Sequence, residues 1–146
     1  MTAAWRSPST ESNIRYTSLR HFADLDHFLG IRHDHFMLIY KIFRADEWAH
    51  LQANGETLGA PIDLADGYIH ISGAETVVET VRLHFKGEGD LMLIALEADA
   101  LDELKWEESR GGALFPHLFR PLRMTDVVWA KPLPLVDGEH VFPDLT

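Results

Sequence analysis

The sequence predicts a small α+β domain over residues 37–146. Three observations carry that reading. Short β-branched and aromatic runs, MLIYKIF at 37–43, YIHIS at 68–72 and LMLIALEA at 91–98, are separated by segments of helical spacing. A length of 146 residues suits one domain with a single core, and the 46% hydrophobic fraction is that of an ordinary globular chain. No internal repeat or low-complexity tract interrupts the pattern.

Residues 1–36 read as an appendage, with a Ser/Thr/Asn-rich start and then RHFADLDHFLGIRHDHF. Phe22, Leu25 and Leu29 there make one or two amphipathic turns, and His33 and His35 are a weak metal signal. From Met37 the first strand begins. ADEWAHLQANG follows as a short helix ended by Gly55, with Trp48 and Leu51 facing inward. GAPIDLADG reads as a loop closed by an Asp-Gly turn. YIHIS is the second strand, and Ser72-Gly73-Ala74-Glu75 has the form of a capping box for a helix over 73–85. Its stripe is Ala74, Val77, Val78, Val81 and Phe85. After the KGEGD turn and a third strand at 91–98, ALDELKWEE reads as a short helix or turn. SRGGALFPHLFRPL reads as a long loop with a short strand or turn in it, and DVVWAKPLPL as the closing strand.

Composition narrows the function. There are no cysteines, which excludes disulfides, thiolate metal sites and a cysteine nucleophile. The chain lacks both an apolar run of membrane-spanning length and a secretion-signal pattern, so no membrane role is expected and the cytoplasm is the default location. Net charge is −10, and residues 1–36 hold four arginines and four acids, so the excess sits on the domain. A domain that acidic is a poor nucleic-acid binder, yet one local basic cluster suffices for a small anion.

Three groups of residues are candidates for chemistry. Tyr68, His70 and Ser72 form the polar row of the YIHIS strand, since side chains alternate along a strand. Such a row either lines a cleft or is structural, with Ser72 a helix cap and His70 a half-buried histidine; in the first case the helix start favours a phosphate or carboxylate. Ser109, Arg110, Gly111 and Gly112 supply a flexible backbone and a planar cationic fork, followed by His117 between a proline and aromatics. This is no phosphate-loop signature, because the GK[ST] ending is missing. Glu107 in Trp106-Glu107-Glu108 is either a solvated acid or a cleft carboxylate, and Lys41 on the first strand either enters the cleft or snorkels at its edge. A G-x-S-x-G nucleophile elbow is absent.

IYKI at 39–42, ADGYIHIS at 65–72, HF at 84–85, DLMLIALE at 90–97 and KWEESRGGALFPHLFRPL at 105–122 together resemble a bacterial family known as domain of unknown function 952. The resemblance spans about residues 37–145. It implies a compact relative of the ADP-ribosyltransferase fold, with two small sheets around a cleft where NAD would sit. His70 and Ser72 would then hold a phosphate or ribose, Arg110 would pair with phosphate, and His117 would orient the ligand or act as acid or base. Glu107 would be the carboxylate facing an oxocarbenium-like centre. Departures are visible: the first strand has Tyr40-Lys41-Ile42 where transferases place a histidine or arginine, and Leu118-Phe119-Arg120 stands where the family more usually has LYG. The expected function is therefore a cleft for an NAD-like nucleotide or small anion, with or without catalysis. The alternatives are an ADP-ribosyltransferase-like enzyme and a metal-dependent hydrolase built on His70, His84 and His117; no bound metal is expected in the first two.

Overall fold

A computed structural model describes residues 36–146. The appendage and its histidines lie outside the described residues, apart from Phe36. Strand β1, Leu38–Phe43, is entirely β-forming in composition and pairs antiparallel with β4, Leu91–Glu97, which pairs in turn with β8, Val127–Leu133. Helix α1, Ala45–Asn54, ends as expected at Gly55, whose φ of 78° is the left-handed conformation that only glycine adopts without strain. Two-residue strand β2, Glu56–Thr57, leads into helix α2, Pro61–Asp66. Strand β3, Ile69–His70, and helix α3, Val77–His84, follow. After β4 a 3-10 turn, Ala98–Ala100, leads to β5, Leu104–Glu108, then β6, Leu114–Leu118, and β7, Leu122–Arg123, which pairs with β2. A hairpin of β9, Leu135–Val136, and β10, Glu139–His140, turns on Asp137-Gly138 beyond β8.

Two three-stranded antiparallel sheets result, ordered β1-β4-β8 and β3-β6-β5. A backbone bridge joins them: Tyr40 N donates to Ser72 O at 2.7 Å and Ser72 N to Tyr40 O at 2.9 Å. The first sheet is buried on both faces. Ile39, Phe43, Ile94 and Leu96 pack with Leu51, Ile69, Ile71 and Leu118 of α1 and the second sheet. On the opposite face, Tyr40, Ile42, Leu91 and Leu93 pack with Val77 and Val81 of α3. The second sheet is one-sided, giving Ile69 and Leu118 to the core and turning Tyr68, His70 and His117 the other way. None of the described helices is long and apolar enough to cross a membrane.

Three elements differ from the sequence-based expectation, and the short strand or turn expected inside SRGGALFPHLFRPL is a strand. The segment PIDLAD is helix rather than loop; Pro61 at its first position has the φ a helix needs and no N–H to lose. The S-x-x-E box does not form. The backbone of Ser72 is committed to its bridge with Tyr40, residues 73–76 make a turn, and the helix starts at Val77. LKWEE is a strand: the left-handed Glu103, φ 63°, ends the preceding turn and the period becomes two. Within the predicted loop, LFPHL is the central strand of the second sheet, although Pro116 in its middle removes a donor. The Pro116 carbonyl still accepts from Ile71 N at 3.1 Å.

Candidate functional site

Alternation on β1 places Lys41 between Ile39 and Phe43, on the face that packs toward the second sheet. A buried ammonium there needs a counter-charge, and α2 provides it. The Asp63 carboxylate, with no exposed surface, takes Lys41 Nζ at 2.7 Å on Oδ2. Ala60 N also donates to Oδ2 at 2.7 Å, and His70 N donates to Oδ1 at 2.9 Å. His70 Nδ1 lies 2.7 Å from the same oxygen, and its Nε2 is 3.0 Å from Asp66 Oδ2. Lys41 Nζ also donates to the His70 carbonyl at 3.0 Å. The cluster thus ties β1, α2 and β3 together. Burial by itself raises the pKa of Asp63; hydrogen bonds from His70 and the Lys41 charge outweigh it and hold the carboxyl below its usual range. Burial likewise drives the Lys41 pKa down, against the pull of Asp63. Gly59 sits against this carboxylate at φ 98°, and any Cβ there would collide with Oδ2.

Beside the cluster opens a cleft of about 680 Å³. Apolar walls come from Ile42, Pro61, Ile62, Phe85 and Phe115, and polar groups from Lys41, Arg44, His70, Ser72, Thr80, His84, Ser109, Arg110 and His117, with Asp66 as a carboxylate of the lining. Ser72 Oγ donates to Thr80 Oγ1 at 3.1 Å. Arg110 reaches the same hydroxyl at 3.3 Å and lies 3.5 Å from His84 Nε2, with its guanidinium 5.0 Å from the Phe115 ring centroid. Arg44, Arg82 and Arg120 sit in ion pairs; among the described residues Arg110 and Arg123 have no carboxylate within ion-pair distance, and of these two Arg110 lines the cleft.

The third group stands on the polar face of the second sheet. His117 is opposite His70 in the β3–β6 register, with ring centroids 5.6 Å apart. Tyr68 stacks on His117 at 4.1 Å and tilts against His70 at 4.7 Å. Burial, then the carboxylates of Asp66, Glu107 and Asp63, push the Tyr68 hydroxyl pKa up. Glu107 Oε1 accepts from His117 Nδ1 at 2.9 Å.

These residues form one contiguous domain segment, and a family model described as "Protein of unknown function (DUF952)" matches residues 42–130 of it. The chain belongs to this family. Three solved structures of one Caulobacter crescentus protein, CC0527, are similar. A crystal structure is 47% identical with a TM-score of 0.69, covering 71% of this chain and 93% of that one. A double mutant of CC0527 gives 46% and 0.68 over the same shares. Its solution NMR structure gives 46% and 0.64, covering 70% and 90%. Among curated proteins no match is found.

Within this DUF952 domain, the expected residues divide. Lys41, His70, Ser72, Ser109, Arg110 and His117 all line the cleft. Tyr68 and Glu107 stand behind its wall, touching His117 rather than the space itself. Gly111 and Gly112, at φ 68° and 79°, serve the turn that presents Arg110 and are not part of the lining. Asp63 was hidden to sequence reading, because it lay in an apparent loop; Pro61 two residues before it was the available signal of a helix start. The metal-hydrolase alternative lacks a ligand set: among the described residues no three His, Asp or Glu groups are placed to hold an ion. His70 is engaged by two aspartates and His84 faces a guanidinium.

Proposed function

We propose that the cleft binds a small anionic ligand, with an NAD-like nucleotide as its best-fitting class. The carrying observation is Arg110, a cation without a carboxylate partner among the described residues, grouped with Ser72, Thr80 and His84 in a cleft that also has apolar walls. A guanidinium, two hydroxyls and an imidazole are donors suited to phosphate, and apolar walls suit a flat ring. Two small sheets meeting at this cleft support reading the fold as a compact relative of the ADP-ribosyltransferase fold. Binding without transfer is the primary form of the proposal. The Tyr40-Lys41-Ile42 stretch has neither the histidine nor the arginine that transferases place on this strand, Lys41 is neutralised by Asp63, and Glu107 stands outside the cleft lining.

Titrating NAD, ADP-ribose and nicotinamide while following amide and histidine NMR shifts tests this. Millimolar binding, roughly −4 kcal/mol, suffices to register. Shifts at Ser72, Thr80, Arg110 and His117 are expected; silence at millimolar ligand would sink the nucleotide reading. A second reading, an enzyme acting on NAD, draws its support from the oriented imidazole of His117.

A further inference from the structure

His117 differs from every other histidine of the cleft in how its nitrogens are used. The ring is only 5% exposed, whereas its partner Glu107 is 43% exposed. An ionised carboxylate only accepts, so the 2.9 Å contact means that Nδ1 carries the hydrogen and donates it. In the neutral ring the lone pair is then on Nε2. That nitrogen has no partner among the described residues, yet it is not sealed: among those residues only Trp129 Nε1 is both buried and unpartnered. His117 is one of the residues that line the cleft, the open space beside this ring. Tyr68 stacked on one face and the short β6 strand beneath fix the ring plane.

We propose that Glu107 and His117 form a proton-accepting dyad of the cleft, with His117 Nε2 as the base toward a hydroxyl of the bound ligand or a water, and Glu107 as a positioning residue. The O–H bond breaks, the proton goes to Nε2, and the electron pair stays on oxygen. The resulting imidazolium is held by Glu107, and its proton returns to solvent through the open cleft. This gives the cleft a reaction class, proton abstraction, that binding alone does not require; it rests on the reading of the cleft as a ligand site. The titratable groups around the ring are Glu107 and Lys105 on β5, His70 and Tyr68 at β3, and Arg110 on the cleft lining.

Two measurements on the whole chain test the dyad. The first is the tautomer of His117 from its ring ¹⁵N shifts in the unmodified protein: Nδ1–H with a bare Nε2 is expected, and Nε2–H would overturn the proposal whatever any variant does. The second is acylation of histidines by diethyl pyrocarbonate, mapped by mass spectrometry, with exposed His50 as internal reference. His117 should react at least as fast as His50 despite its burial. Glu107→Gln should slow it while His50 is unchanged, because a neutral amide holds Nδ1–H and stabilises a charged imidazole less well than a carboxylate does. A His117 slower than His50 in the unmodified protein, or indifferent to Glu107→Gln, would overturn the proposal. Added NAD or ADP-ribose separates the two claims: protection of His117 supports the cleft reading, and a reactive His117 that neither ligand protects rejects nucleotide binding while leaving the dyad standing.

Discussion

The described residues hold two buried cationic clusters, and their difference separates scaffold from site. Arg120 donates to Asp102 Oδ1 at 2.7 Å, to both oxygens of Asp126 at 2.8 and 3.1 Å, and to the Pro121 carbonyl at 2.7 Å. Its guanidinium is nearly saturated, and it is remote from the cleft lining. Lys41 is as buried, but it and His70, both held by Asp63, line the cleft. The same chemistry is thus used once to clamp a turn and once to hold a wall whose outer groups stay open to ligand. Arg110 is the counter-example to both: a cleft-lining cation without a carboxylate within ion-pair distance among the described residues.

The comparison breaks most visibly at Asp63. Asp63→Ala strips buried Lys41 of its counter-charge and three other donors of their acceptor, and should cost about 3–5 kcal/mol in chemical denaturation. Combining Lys41→Met with Asp63→Leu should recover part of that loss, because an apolar pair needs no counter-charge. Arg120→Met should cost less, about 1–3 kcal/mol, since Asp102 is 62% exposed and rehydrates freely while Asp126 keeps the Arg123 N–H. Equal losses at the two sites would erase the distinction.

Acid titration sharpens it further. The folded-state pKa of Asp63 lies below its unfolded value, so the folded protein binds fewer protons than the unfolded chain in the window between them. Its contribution to stability is present above the ordinary carboxylate range and lost as pH falls through the folded value. Asp63→Asn should therefore flatten the acid limb of stability against pH, below about pH 4. An unchanged limb would assign acid sensitivity to the other depressed carboxyls, Asp102 among them. The smallest expected effect on stability is at Arg110: Arg110→Gln should change it by no more than about 0.5 kcal/mol.

Much of the fold was legible. MLIYKIF and LMLIALEA carry a near-continuous apolar signal because their sheet is buried on both faces, and ADEWAHLQANG has both period and stop residue. The second sheet was harder to read. It buries only one face, its strands are short, and β6 contains Pro116, so propensity points to loop where cross-strand pairing wins. The capping box at Ser72 failed because a long-range bridge to Tyr40 outcompeted a local hydrogen bond. For the site, the polar row and the Arg110 segment were visible as residue types, and six of the ten nominated residues line the cleft. Asp63 was not, since nothing local says that an aspartate in ADG-bounded sequence will pair with a lysine 22 positions earlier. Nor does one sequence reveal that Glu107 reaches His117.

The central claim is that Arg110 is left without a carboxylate for a ligand and not for the fold. Its most direct test is a parallel titration of ADP-ribose into the unmodified protein and Arg110→Gln, read by NMR shifts at Ser72 and Thr80, with the stability of both proteins measured alongside. The account predicts saturable shifts in the unmodified protein, binding at least tenfold weaker in Arg110→Gln, a loss of about 1.4 kcal/mol or more, and equal stability. Equal affinity in the two proteins, or a variant that loses stability instead of binding, would contradict it.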